Sequence, residues 1–249
     1  MTSEIILKLV DLSLPNLPAA PITSVGFQQA AIRAIENEYS VFRRYGKLEV
    51  KIQGEFIHIK LTGDDNLNLI DVAISELTAG RIPEGVSILQ FIHASSPDDY
   101  RVLYLLGSAL SDTGDLKRAV VFLQRALEIR PQFPEALVNL GVALSRMNRM
   151  EDAIEYLKRA VHIDQENAHA HRNLGACLAK VGRDFPAAQN HLENAVRLSP
   201  TDLQSWFGLA GVYKVLGRTT AARNACGKIL QMAPESQLAN YARAMLCQM

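Results

Sequence analysis

Two asparagines occupy the same place in a recurring sequence pattern. Asn139 and Asn173 are 34 residues apart, and each is followed directly by Leu-Gly. An asparagine amide carries two N–H donors and one carbonyl acceptor, so it can bond both the C=O and the N–H of a peptide unit. Two such amides in one register could therefore hold the backbone of an extended peptide. The alternative is that asparagine is merely tolerated on a hydrated helix face.

Four histidines lie close together in the sequence and raise the question of a metal site. They are His162, His169, His171 and His191. Zinc requires three or four converging ligands, and residues two apart on a helix, such as His169 and His171, point in different directions. Ordinary surface and packing histidines are therefore the favoured interpretation, and we expect no metal.

The sequence carries no recognisable catalytic motif. It lacks G-x-S-x-G, the phosphate-cradling G-x-x-x-x-G-K and the zinc-binding H-E-x-x-H. Cys177, Cys226 and Cys247 form no C-x-x-C pair, so neither a zinc ribbon nor a redox motif is indicated. We predict reduced thiols in a cytoplasmic protein, no enzyme activity and no cofactor. An enzyme would need a site formed by scattered residues that no motif marks.

The charge balance argues against two classes of partner. The chain has 249 residues, with 26 Lys and Arg residues against 26 Asp and Glu residues. This balance lacks the basic footprint of a protein that binds nucleic acid or an anionic membrane. The first residues lack the positive start of a signal peptide, and no apolar run reaches the roughly 18–20 residues of a membrane helix. We expect neither a nucleic-acid partner nor membrane insertion.

The elements that must position the two asparagines are pairs of short helices. A Leu-Gly pair recurs at the same place in each repeat, 34 residues apart, at Leu106-Gly107, Leu140-Gly141 and Leu174-Gly175. In the stretch 134–167, apolar residues recur at helical spacing on both sides of a turn. A fixed period of about 20–50 residues indicates a stacked array of supersecondary units.

This unit resembles the tetratricopeptide repeat (TPR) family. The last unit matches the family pattern W-x2-L-G-x2-Y and its later Ala and Pro at Trp206, Leu209, Ala210, Tyr213, Ala222 and Pro234. Ala210 stands where the family has Gly, and Cys226 departs from the usual Phe. The resemblance implies a mainly α fold, a right-handed superhelix of helical pairs whose first helices line a concave groove, and a protein partner.

The resemblance divides the C-terminal part, 65–249, into five repeats and a cap. The repeats are predicted at about 66–97, 100–131, 134–167, 168–200 and 203–234, with a capping helix at 236–247. The first repeat is the least regular, because Glu76 and Gly85 break its pattern. In the fourth, His171 replaces a large apolar residue.

Residues 1–64 do not follow the repeat and match no family that we recognise. A branched apolar run predicts a strand at 5–12, and three prolines predict an extended connector at 13–21. A helix is predicted at 25–44, and alternating apolar residues on either side of Gly54 predict a hairpin. We therefore predict a small α+β module whose helix covers a short sheet.

The family resemblance assigns residues to the concave groove. The predicted peptide-binding residues are Asn139, Asn173, Arg101, Tyr104, Ser108, Val142, Arg172, Ala176, Lys180, Phe207 and Lys214. The paired asparagines resemble the asparagine ladder of superhelical family members, although Leu105 and Gly208 take that place in the flanking repeats. Some family members hold the carboxylate tail of a chaperone with Lys, Asn and Arg side chains at defined positions. Glu135 and Val138 depart from that pattern here. The basic residues could instead be solvated surface charges.

The sequence thus predicts a non-catalytic adaptor that binds an extended segment of a partner protein in the groove. The alternative is a self-assembling, homo-oligomeric scaffold, or a secretion or assembly chaperone, that uses the N-terminal module. The sequence does not identify the partner.

Overall fold

The computed structural model describes residues 2–8, 24–53, 56–63 and 68–249. The chain divides into two compact units, residues 1–113 and residues 114–249. The predicted connector at 13–21, the turn residue Gly54 and the junction at 64–65 lie outside the described residues. The mainly α fold of repeated helical pairs, with a small α+β part at the N-terminus, is confirmed.

Three antiparallel strands form the sheet of the N-terminal unit. They are β1 (Thr2–Lys8), β2 (Gly46–Gln53) and β3 (Phe56–Gly63), in the order β1-β3-β2. The predicted alternation on β3 is present, because Ile57, Ile59 and Leu61 are buried while Phe56 and Lys60 are exposed. One face of the sheet therefore belongs to the core, as the period of two requires.

The helix predicted at 25–44 is divided into two segments. Helix α1 (Val25–Glu38) begins after Ser24, whose Oγ accepts a hydrogen bond from the N–H of Phe27 at 3.2 Å. A 3-10 helix, Ser40–Arg44, follows it, and the N–H of Phe42 bonds to the carbonyl of Tyr39. This tighter turn accompanies the burial of both Val41 and Phe42. Periodicity alone did not indicate the change of helix type.

Eleven further helices follow within the described residues. They are α2 (Leu69–Thr78), α3 (Ile82–Ser95), α4 (Tyr100–Thr113), α5 (Leu116–Ile129), α6 (Pro134–Arg146), α7 (Met150–Ile163), α8 (Ala168–Val181), α9 (Phe185–Leu198), α10 (Leu203–Val215), α11 (Thr219–Met232) and α12 (Gln237–Leu246). Helices α2 and α3 pack together in the N-terminal unit. In the C-terminal unit, α6 packs on α7, α8 on α9, and α10 on α11.

Glycine in the first helix lets the two helices of a pair approach closely. A Cβ atom at Gly141 would lie 2.6 Å from Cγ of Leu157, which comes from the second helix. The turn between helices needs a left-handed residue, which Gly182 (φ 73°) and Gly217 (φ 71°) supply. Asn148 (φ 63°) fills the same place in the pair before them, since asparagine tolerates this conformation.

Helix α12 covers the end of the C-terminal unit. It contacts α10 and α11, and its Ala239 and Ala242 are buried together with Ala225, Cys226 and Ile229. The Sγ of Cys226 lies 3.9 Å from the Sδ of Met245, in the last turn of α12. Among the described residues, no helix is both long and apolar enough to cross a membrane.

Candidate functional site

The first helices of successive pairs lie side by side in the C-terminal unit. Helix α8 contacts both α6 and α10. Asn139 on α6 and Asn173 on α8 share one register, and both are half-buried. The residues that follow them, Leu140 and Leu174, are buried in the core. The helix packing therefore places the two amides at the edge of the core on neighbouring helices.

The amide of Asn173 already makes one hydrogen bond within its own helix. Its Nδ2 donates to the carbonyl oxygen of His169 at 2.9 Å. A side-chain amide has two N–H groups and a carbonyl oxygen. This bond uses one of the two N–H groups and restrains the orientation of the amide.

Small or short side chains continue the register one turn after each asparagine. Val142 follows Asn139 and is half-buried, while Ala176 follows Asn173 and is exposed. Lys180 is exposed in the last turn of α8. The side chains beside the amides are therefore short, and one cation lies near the end of α8.

Two of the predicted groove cations in the C-terminal unit have partners inside the chain. Arg172 Nη1 lies 3.1 Å from Asp202 Oδ2, and both side chains are 21% exposed. This ion pair joins α8 to the residue that caps α10. Lys214 Nζ donates to Gln248 Oε1 at 2.7 Å. Both side chains thus contribute contacts within the fold, which the sequence pattern did not indicate.

Phe207 packs against the capping helix. Its ring centroid lies 6.0 Å from that of Tyr241, and the side chain is half-buried against the core cluster beneath α12. Phe207 therefore lies on α10 beside the cap.

Three predicted groove residues lie on α4 in the N-terminal unit. Arg101 is exposed and pairs with Asp99, with Nη2 and Oδ2 2.8 Å apart. This hydrogen-bonded pairing lowers the pKa of Asp99 despite the opposing effect of burial. Tyr104 and Ser108 are half-buried on the same helix. Their assignment to a peptide site stays a prediction.

Two of the four clustered histidines form a pair. The Nδ1 atoms of His171 and His191 are 3.0 Å apart, and His171 Nε2 lies 3.1 Å from the carbonyl oxygen of Gln165. His171 is 5% exposed, and burial lowers the pKa of both rings. Within the described residues, no group of three or more His, Cys, Asp or Glu side chains is placed to hold a metal ion.

The repeat register contains the signal for this pair. His171 takes the place of Leu137, and His191 takes the place of Tyr156, in the preceding repeat. The first of these substitutions was visible in the sequence, but its partner twenty residues later was not evident from helical spacing.

Comparison with protein families matches most of the helical part of the chain. A family model for the tetratricopeptide repeat matches residues 110–178 and 182–246, and a second tetratricopeptide repeat model matches residues 71–134. A comparison with curated proteins found no match.

Several solved structures share the fold. MamA is 21% identical over 66% of this chain and 96% of its own, with a TM-score of 0.58. YrrB, described as a TPR protein with an unusual peptide-binding site, is 18% identical over 72% of this chain and 92% of its own, with a TM-score of 0.57. TTC0263, a thermophilic TPR protein in Thermus thermophilus, is 22% identical over 72% of this chain and 98% of its own, with a TM-score of 0.59.

Proposed function

Because this chain belongs to the tetratricopeptide repeat family, we propose that it is a non-catalytic adaptor that binds an extended segment of a partner protein. The fold is that of a protein–protein interaction module. In our proposal, the binding surface is the row of first helices α6, α8 and α10. The observation that carries it is the common register of Asn139 and Asn173 on two helices in contact.

The proposal assigns backbone recognition to the two amides. An extended segment presents an N–H and a C=O at each residue, and these groups match the donors and acceptor of an asparagine amide. The hydrogen bond from Asn173 to its own helix supports this role, because a restrained amide loses less side-chain entropy when a ligand binds.

Side-chain recognition is assigned to the residues around the amides. Val142 and Ala176 supply a low apolar surface, and Phe207 supplies the accessible part of an aromatic ring. Lys180 supplies an exposed positive charge. YrrB, which shares the fold, is described as having an unusual peptide-binding site, and this supports a peptide ligand as the class to test.

The experiment begins with peptides selected from a displayed random library on the wild-type protein. Calorimetry then compares the wild type with the double variant Asn139→Ala/Asn173→Ala. A neutral hydrogen bond contributes about 0.5–1.5 kcal/mol net, so the loss of two should weaken binding about tenfold to a hundredfold. Unchanged binding by a folded double variant would contradict the proposed backbone contacts.

A matched control makes the same asparagine-to-alanine change on second helices instead of first helices. Asn190 on α9 and Asn224 on α11 are exposed on second helices. The double variant Asn190→Ala/Asn224→Ala should bind the selected peptides as the wild type does. An equal loss in both double variants would indicate a general effect on the fold.

The compartment and the assembly state are further parts of the proposal. Cys177, Cys226 and Cys247 are free thiols, which fits a reducing compartment such as the cytoplasm. The self-assembling scaffold stays the alternative prediction. Light scattering over a range of protein concentrations separates the two, because a scaffold must show a mass that rises with concentration.

A further inference from the structure

A polar pocket of about 410 Å³ lies among α7, α8 and α9 of the C-terminal unit. We call it the histidine pocket. Its polar and charged lining includes Lys158, His162, Glu166, His171, His191 and Arg197. It is formed mainly by second helices and by the loop between two repeats, so it is distinct from the row of first helices proposed to bind peptide.

The preceding repeat provides an internal comparison. A similar notch of about 340 Å³ lies between α5 and α7, and Gln124, Glu128 and Tyr156 contribute to its lining. In the repeat register, Lys158 replaces Gln124, His162 replaces Glu128, and His191 replaces Tyr156. The space therefore follows from the stacking of helix pairs. The notch has Arg159 against Glu128, whereas the histidine pocket has Lys158 and Arg197 against Glu166, so only the histidine pocket has a net positive lining.

The hydrogen bonds fix the tautomers of the two histidines. A carbonyl oxygen only accepts, so His171 donates its Nε2–H to Gln165. The Nδ1 of His171 then carries a lone pair, and His191 must donate its Nδ1–H to it. In the neutral pair this leaves a lone pair on His191 Nε2. A proton from solvent can add there without breaking either hydrogen bond, and it creates a new N–H donor on a residue that lines the pocket.

Charged and titratable groups surround the pair on α7, on α9 and in the segments before α8 and α9. The groups are Lys158 and His162 from α7, Asp164 and Glu166 from the loop, Arg197 from α9 and Asp184 from the residue before α9. Lys158 lowers the pKa of His191, and Arg197 lowers that of His171, while the carboxylates oppose them. Burial is the largest cause of both shifts and favours the neutral form of the pair.

The lining is matched in charge to an anion with two negative charges. Arg197 Nη2 lies 3.6 Å from Glu166 Oε1, but both side chains are mostly exposed, so this ion pair is weak. Lys158 and Arg197 against Glu166 leave one net positive charge among the permanently charged lining residues. A proton on the histidine pair raises the total to two.

We propose that the histidine pocket binds a phosphate group as its dianion, with Lys158 and Arg197 as permanent cations and the His171–His191 pair as the group that takes up a proton on binding. The added proton resides on His191 Nε2 and donates to a phosphate oxygen. The phosphate belongs to a small molecule or to a phosphorylated side chain, since both present the same tetrahedral oxygens.

Sulfate is the first probe, because it stays a dianion throughout the pH range in which histidine titrates. Calorimetry in two buffers of different ionisation enthalpy should show an uptake approaching about one proton per sulfate bound near pH 6.5. Affinity should rise about tenfold to fiftyfold from about pH 7.5 to about pH 5.5, because affinity changes by nearly tenfold per pH unit where nearly one proton is taken up on binding. No saturable binding, or binding with no proton uptake, overturns the proposal.

Three variants assign the contributions within the pocket. Lys158→Gln installs the residue of the preceding notch and should weaken sulfate binding about threefold to tenfold at every pH. His171→Leu/His191→Tyr installs the residue types of the preceding repeat and should abolish the pH dependence. Arg159→Gln removes a cation that lines the preceding notch and should change nothing. Equal sulfate binding by Lys158→Gln and the wild type contradicts the site. Because Lys158 is exposed, this variant tests the site without altering the hydrophobic core.

Inorganic phosphate and O-phosphoserine then distinguish the sources of the phosphate. Tighter binding of O-phosphoserine supports a phosphorylated side chain, and equal binding supports a free phosphate. If neither competes with bound sulfate, the pocket does not bind phosphate and the proposal is wrong.

Discussion

The hydroxyl of Tyr45 donates a hydrogen bond to the carboxylate of Glu76, a side chain that is 2% exposed. Arg81 holds the same carboxylate, with Nη2 3.2 Å from Oε1, and Arg44 Nη1 lies 3.7 Å from Oε2. Glu76 stands where the regular repeats have Leu110. In the N-terminal unit this polar network joins the end of the 3-10 helix to the first helical pair.

Replacement of Glu76 should destabilise the N-terminal unit. Glu76→Gln removes the charge that faces Arg81 and Arg44, and a broken buried ion pair costs up to about 3–5 kcal/mol. Because both arginines are about half exposed, we expect a loss of about 2 kcal/mol. Chemical unfolding of the wild type and the variant measures this change in the free energy of unfolding. Glu155→Gln, an exposed change on α7, should stay within about 0.5 kcal/mol of the wild type; equal stability of the two variants would refute a structural role for Glu76.

The stability of the N-terminal unit should fall in acid through Glu76. Hydrogen bonds from Arg81 and Tyr45 lower its pKa from 4.5 to about 2. The unfolded chain therefore binds more protons than the folded chain between these values, so the stabilisation is complete above pH 4.5 and is lost as the pH falls toward 2. Unfolding curves of wild type and Glu76→Gln should converge over this window. A constant difference between them down to the lower limit would contradict the assignment.

Two glycines in first helices should respond oppositely to alanine. At Gly141 a Cβ would lie 2.6 Å from Leu157 Cγ, whereas at Gly211 no atom lies within 4 Å. Gly141→Ala should cost about 1–3 kcal/mol through overpacking. Gly211→Ala should gain about 0.5–1 kcal/mol, because it lowers the entropy of the unfolded chain. The account of close helix approach fails if thermal melting shows both variants stabilised.

The capping role of α12 is testable with two alanines on the same helix. Ala242 is fully buried against α11, and Ala244 is exposed. Ala242→Asp should lower the melting temperature by about 5 °C or more, because a carboxylate would enter an apolar contact. Ala244→Asp should leave it nearly unchanged. Truncation after Pro234 should reproduce the loss or cause self-association, and an unaltered melting point and mass would contradict the cap.

Much of the fold followed from the sequence because each repeat obeys the same packing constraint. The Leu-Gly spacing predicted the helical pairs, since the glycine of the first helix lies against a leucine of the second, as Gly141 does against Leu157 and Gly175 against Leu192. The alternation on β3 likewise predicted which of its residues are buried. Patterns of this kind involve residues that are only a few positions apart in the chain.

The sequence did not reveal contacts between residues that are distant in the chain. It also did not reveal which side chains form ion pairs within the fold. Glu76 appeared as a break in the pattern because its partner Tyr45 lies outside the repeat. Arg172 was assigned to the groove but pairs with Asp202 in the next repeat. Register specifies which face a residue occupies, but it does not specify its partner.

The most direct test of the peptide groove is to observe the side-chain amides of Asn139 and Asn173 by NMR during titration with a library-selected peptide. The account predicts that their ¹H–¹⁵N signals shift and saturate together with the backbone signals of α6 and α8, while those of Asn190 and Asn224 stay in place. Saturating shifts confined to the second helices or to the N-terminal unit, with both groove amides unmoved, would contradict it.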